Sequence, residues 1–156
     1  MKFEFKHFSQ LSVNELYDLL QLRTEIFVVE QTCIYNDLDG LDKNAIHLLL
    51  KNKTEIIGCS RLLKPGTRFK SCSIGRVVVK KNYRGNGLGF QMMEEALKYI
   101  FANWQADNIK VSAQKHLRDF YEKLCFKVVT KEYLEDGIPH LGMNKQINKQ
   151  LNRPHS

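Results

Sequence analysis

The residues with the plainest chemical reading are Arg84-Gly85-Asn86-Gly87-Leu88-Gly89. They follow a β-branched run, Val77-Val78-Val79, and lead into a segment where Leu88, Met92, Ala96, Leu97, Ile100 and Phe101 recur three or four apart. A strand that turns through glycines into a helix presents the helix's first backbone amides, about four of them without intrahelical partners, next to a partial positive charge. Such a terminus takes phosphate. Gly85, Gly87 and Gly89 hold no side chain between an anion and those amides, and Arg84, with Lys80 and Lys81 before it, adds charge. Two familiar phosphate motifs do not fit. The third glycine of G-x-G-x-x-G would fall on Phe90, and no G-x-x-x-x-G-K-[ST] is present, which argues against nicotinamide cofactors and P-loop chemistry. On their own the glycines are also consistent with tight packing of a strand on a helix.

The elements that must position this turn follow from periodicity. Residues 3–8 alternate like a strand, and Ser12-Val13-Asn14-Glu15 reads as a capping box ahead of a helix over residues 13–28, with Leu16, Leu19, Leu20, Arg23 and Phe27 at helical spacing. Residues 34–44 are polar and read as a loop. Two strands, 45–51 and 55–63, flank a turn at Asn52-Lys53-Thr54, and Pro65-Gly66 marks another loop before a central strand at 74–79. The helix from Gly87 to Asn103, a strand at 109–113, a short helix at 117–124 and a closing β pair, 126–130 with 140–146, complete the order. The fold class is α+β, a three-layer arrangement of a mixed sheet with helices on both faces. One domain over residues 1–147 and a polar tail over 148–156 are expected, since no repeat or Pro/Gly/Ser linker divides the 156 residues.

Composition narrows the classes. No apolar run approaches the ~20 residues of a membrane span, and charges interrupt the start, Met1-Lys2-Phe3-Glu4-Phe5-Lys6, so the chain reads as cytoplasmic, with no membrane partner. Cys33, Cys59, Cys72 and Cys125 are far apart and do not cluster with the five histidines, which suggests reduced, mostly buried thiols and no metal. The net charge of +7 suits a polyanion, but no RNP, helix-turn-helix or zinc-finger pattern appears, and aromatics do not interleave with the basic residues. Nucleic acid is therefore not expected as a partner.

The segment Arg84 to Gly89 resembles the [RQ]-x-x-G-x-[GA] loop of the GCN5-related N-acetyltransferases, and the order of elements is similar over nearly the whole chain. Phe27-Val28-Val29-Glu30-Gln31, Asp37-Leu38-Asp39-Gly40 and Glu135-Asp136-Gly137-Ile138-Pro139-His140 resemble the ElaA-type branch. The resemblance implies a mostly antiparallel sheet splayed between its fourth and fifth strands, with an acyl-thioester in the gap and acetyl-coenzyme A as co-substrate. Val77, Val78 and Val79 would face its pantetheine arm, and the amides of Gly85, Asn86, Gly87, Leu88 and Gly89, with Arg84, would hold its pyrophosphate. Phe120-Tyr121-Glu122-Lys123-Leu124-Cys125-Phe126 resembles the family's Y-x-x-x-G-F segment, which makes Tyr121 the acid for the departing thiolate and leaves Cys125 where glycine is usual.

An amine acceptor must lose a proton to attack. Candidates are Glu30, expected near the acceptor side, Asp37, Asp39, His116 and His140, and the acidic loop could draw in a cationic substrate. For the aspartates, turn chemistry is the competing reading. The resemblance implies a small-molecule or peptide amine as partner and homodimers as one assembly. A noncatalytic acyl-coenzyme A sensor and a transferase for longer acyl chains are the alternatives.

Overall fold

The computed structural model describes residues 1–147, so the polar tail expected over residues 148–156 lies outside the described residues. Eight strands form one sheet in the order β1-β2-β3-β4-β5-β8-β6, with β7 paired to β8. They are β1 (Lys2–His7), β2 (Ile46–Asn52), β3 (Glu55–Leu63), β4 (Cys72–Val79), β5 (Asn108–Gln114), β6 (Lys127–Val128), β7 (Tyr133–Glu135) and β8 (Ile138–Gln146). All pairings are antiparallel except β4 with β5. That parallel contact is brief: only Cys72↔Ile109 and Ser73↔Lys110 pair, and from Ile74 and Val111 onward the strands part. The sheet is thus forked at the position expected.

Helices cover both faces, and the alternation of β2 shows why. Leu48 and Leu50 point to one cluster, with Met92, Met93, Ala96 and Ile100 of α2 (Leu88–Trp104) and with Tyr121 of α3 (Arg118–Lys123). Leu49 points the other way, toward Leu19 and Leu22 of α1 (Val13–Arg23). A strand buried on both sides has to be apolar throughout, as Leu48-Leu49-Leu50 is. The capping box opens α1: Glu15 N–H donates to Ser12 Oγ at 3.0 Å and Ser12 N–H to Glu15 Oε1 at 2.9 Å.

Beyond shifts of one or two residues at element ends, three differences from the sequence reading stand out. The first helix is α-helical only to Arg23. Residues Thr24–Glu30 continue as a wider π-type turn, in which Gln31 N–H reaches Ile26 O and Cys33 N–H reaches Val28 O, each five residues back. Thr24, Ile26, Val28 and Val29 are β-branched and crowd a normal helical turn, and such wide turns collect at functional sites. The second difference is β6, which spans two residues rather than five. There Thr130 Oγ1, instead of a main-chain group, accepts from Gly142 N–H at 2.8 Å. Only glycine fits at 142, since a Cβ would lie 2.5 Å from Thr130 Cγ2.

The third is β7, a strand the sequence reading left out. Asp136 (φ 51°) and Gly137 (φ 76°) form the two-residue loop of a hairpin that pairs Glu135 with Ile138. Asp-Gly suits such a turn because both positions need positive φ.

Candidate functional site

The glycine turn is built as a backbone receptor. β4 ends at Val79, and residues Lys81–Tyr83 make one tight turn before Arg84. Gly85 (φ 86°) and Gly87 (φ 75°) then take conformations that L side chains rarely adopt. Gly87 caps α2 without any side-chain hydrogen bond, so the amides of the helix's first turn face outward unanswered. Asn86 is exposed beside them. Val79, Leu88, Phe90 and Phe120 floor the adjoining hollow, and Lys123 of α3 adds a cation to its rim.

Arg84 is pinned at this turn. Its Nε donates to Val79 O at 2.8 Å, and Nη1 and Nη2 donate to Glu30 Oε1 and Oε2 at 3.0 and 2.8 Å. The Arg84 guanidinium holds the Glu30 carboxyl below its usual range. Glu30 was expected on the acceptor side, and the structure places it elsewhere: the π-type turn swings it onto Arg84, at the glycine turn. Val77 and Val79 turn toward the cleft, whereas Val78 packs in the core against α1.

The fork opens a second, deeper pocket of about 90 Å³ between Ile74 to Val77 of β4 and Ser112 and Gln114 of β5. Phe27 and Gln31 enter it from the π-type turn, Arg68 from the β3–β4 connection, and Glu135 and His140 from the β7–β8 hairpin. Tyr121 lines it as well. Its ring is 6% exposed and packs edge-on against Phe120 and Phe126, and the hydroxyl has no hydrogen-bond partner among the described residues. Burial pushes its phenol up to about 12. Cys125 occupies the usual glycine position with the geometry intact. It adopts φ 68°, with Cys125 N–H bonded to Glu122 O and Phe126 N–H to Tyr121 O, the two bonds that close a helix through a left-handed residue.

His140 Nδ1 lies 2.6 Å from Ile138 O, which makes Nδ1 the protonated nitrogen, and Nε2 lies 3.2 Å from Glu135 Oε2. Tyr133 stacks on the imidazole and meets Ser112 through its hydroxyl at 2.5 Å. His116, by contrast, is exposed on the turn before α3 and does not line the pocket.

Asp37 and Asp39 are not on the pocket either. Asp37 Oδ2 accepts from Arg23 Nε at 2.8 Å, and its Oδ1 accepts from Tyr35 at 3.0 Å. Arg76 Nε also lies 2.7 Å from that Oδ1, off the line of its N–H, so this contact is ionic. Asp39 takes two bonds from Arg61, each 2.8 Å. Asp42 takes Arg23 Nη1 at 2.6 Å. With Arg23 and Arg61 each 1% exposed, the acidic loop is neutralised internally and fastened to β4 through Arg76. It offers no spare carboxylate to a cation.

Arg76 itself is strained, with φ 49°. It and Val77 oppose the single residue Ser60 in the β3–β4 ladder, forming a bulge that turns β4's backbone toward the fork.

The sequence reading missed Arg68, Ser112, Tyr133 and Glu135. The one available signal was the hairpin turn at Asp136-Gly137, which carries Glu135 and His140 back toward β5.

A sheet forked between β4 and β5, with an uncapped helix start at the fork's mouth, defines the acyl-coenzyme A transferase class of fold. Solved structures agree. The chain matches the crystal structure of an acyl-CoA N-acyltransferase from Pseudomonas aeruginosa with a TM-score of 0.87 at 42% identity, over 93% of this chain and 99% of that one. It matches that of Escherichia coli ElaA with a TM-score of 0.87 at 39% identity, over 93% and 99%. In sequence it is 41% identical over 143 residues to protein ElaA of Escherichia coli K12, covering 90% of this chain and 94% of ElaA. Residues 13–147 match the family described as the acetyltransferase (GNAT) domain. The chain belongs to the GNAT family of acetyltransferases and is ElaA-like.

Proposed function

We propose that this chain moves an acetyl group from acetyl-coenzyme A to a primary amine by direct attack within a ternary complex. The observation that carries the reading is continuity: the uncapped start of α2 and the fork pocket share β4, through Val79 and Val77, and α3, through Phe120 and Tyr121. The first-turn amides of α2 hold the pyrophosphate, with Lys123 and Arg84 beside it. The free edge of β4 beyond Ser73 receives the pantetheine arm, and a strand amide near the Arg76 bulge stabilises charge as it develops on the thioester oxygen. The small fork pocket favours a short acyl group over a long one.

Tyr121 faces the departing sulfur. A phenol at about 12 lies well above a thiol's ~8.5, so Tyr121 steadies the thiolate by donating a hydrogen bond rather than by surrendering its proton outright. Since Glu30 is committed to Arg84, His140 is the better-placed group to take the amine's proton at Nε2.

Two measurements test this reading. Acetyl-coenzyme A is expected to raise the melting temperature, and the absence of any shift at saturation would overturn the assignment. Tyr121→Phe is expected to lower kcat about 100-fold or more while acetyl-coenzyme A affinity changes less than about threefold. Unchanged turnover would leave Tyr121 a packing residue.

A further inference from the structure

The fork pocket carries a cation that the reaction above does not use. Arg68 lies with its guanidinium 4.8 Å over the Phe69 ring and donates through Nη2 to Glu135 Oε1. Its Nε and Nη1 have no partner among the described residues. Lys110 stands over the same ring, at 4.4 Å, but does not line the pocket. Arg76, the other arginine on the lining, is spent on Asp37 and Asp39. Glu135 spans the gap between Arg68 and the imidazole. Its Oε1 takes Arg68 and the Ser112 hydroxyl, and its Oε2 faces His140 Nε2.

One account of Arg68 is a surface ion pair with Glu135. At 28% and 30% exposure such a pair is screened by solvent, so a ligand can prise it apart at little cost. A ligand of opposite polarity answers both partners at once. Its ammonium sits on Glu135 beside His140, and its carboxylate sits on Arg68, where a free Nε or Nη1 together with the second Nη2 hydrogen gives two parallel bonds. A plain amine leaves Arg68 unanswered, and a polyamine sets a like charge against it.

Resting on the reading of the fork as an amine site, we infer that the acceptor is a free amino acid, held at its carboxylate by Arg68 and at its amine by Glu135 and His140. Arg68 and His140 touch the two oxygens of one carboxylate, so the ligand's charges must lie close together, with amine and carboxylate one or two carbons apart. The ammonium gives one proton to His140, which passes it to solvent. The nitrogen then bonds to the thioester carbon as the carbon–sulfur bond breaks, and its second proton ends on the departing sulfur. The products are an N-acetylamino acid and the free thiol.

The test is thiol release from acetyl-coenzyme A with matched pairs of free α-amino acids and their primary amides, with spermidine and a lysine-containing peptide alongside. Amino acids are expected to exceed their amides at least tenfold in kcat/KM. Arg68→Gln is expected to raise KM for the acid about 10–100-fold, with kcat within threefold and no change for the amide. Arg68→Lys should recover part of that loss, and it serves in place of Arg68→Gln if the latter fails to fold. Amides, spermidine or the peptide turning over as well as the acids would overturn the inference. So would an Arg68→Gln defect equal for acid and amide, which is the signature of a purely structural pair. Acetyl-coenzyme A binding with no turnover of any amino acid would overturn this inference alone, whereas failure to bind acetyl-coenzyme A would remove the transferase reading beneath it.

Discussion

Two sets of charged side chains flank β4, and they meet opposite fates. Around the acidic loop, Asp37, Asp39 and Asp42 are answered by Arg23, Arg61 and Arg76, with both Arg23 and Arg61 at 1% exposure. In the fork pocket, Arg68, Glu135 and His140 touch one another but keep open positions toward the cavity. Residue types barely distinguish the two. Access does: around the acidic loop even the unpartnered Arg61 Nε and Arg76 Nε are sealed in the protein, so that network has structural work, whereas Arg68, Glu135 and His140 line a cavity that a ligand can enter. The start of α2 is the second open region, made of backbone instead of side chains.

The contrast can be broken most sharply at Asp37. Asp37→Ala removes one of the two carboxylates that hold each of Arg23 and Arg76, the first of them fully buried, and is expected to cost about 3 kcal/mol in urea unfolding. Glu135→Gln, its counterpart in the open set, is expected to cost about 1 kcal/mol or less. Equal losses would erase the distinction. On the donor side, Gly87→Asp sets a carboxylate where an anion belongs, at a positive φ, and is expected to abolish the roughly 2.7 kcal/mol of stabilisation that acetyl-coenzyme A supplies at 100 times its Kd.

Acid tests the closed set more gently. Burial alone would raise Asp39, but the Arg61 hydrogen bonds and the Leu41 amide outweigh it and hold the carboxyl at about 2, against an ordinary 3.8. Its stabilising contribution is therefore complete above pH ~4 and is lost as pH falls toward 2. Melting temperature should decline over that window, and Asp39→Asn should flatten the decline. The smallest effect expected is a gain: Cys125→Gly relieves a left-handed residue and should stabilise by about 1 kcal/mol in the same urea assay.

The glycine turn was legible because it is contiguous. Arg84 to Gly89 state the turn from strand to helix, and Val77-Val78-Val79 marks the strand that precedes it. The fork was legible only through resemblance, since nothing in residues 72–79 or 108–114 says that two pairs will form and the rest will not. The fork pocket was harder still. Phe27, Arg68, Ser112 and Glu135 converge from four distant stretches, and their grouping depends on a π-type turn and a three-residue strand too short for periodicity to register. For the acidic loop the sequence reading weighed a cationic substrate against turn chemistry and did not name its arginine partners, although one was in view: Arg23 stood on the apolar stripe of α1, and an arginine there must bring its counterions inside with it.

The left-handed residue after α3 also sets the conditions for watching this protein work. Cys125 is the exposed thiol of the four, while Cys33, Cys59 and Cys72 are buried, and burial pushes Cys59 and Cys72 up to about 12 and 11. A thiol-reactive dye at neutral pH therefore reports on Cys125 first. In a thiol-release assay it contributes one equivalent of colour per chain before any turnover, a blank that must be subtracted. Attached deliberately, a fluorescent dye there becomes a reporter four residues from Tyr121, just past the helix that borders both the hollow at the glycine turn and the fork.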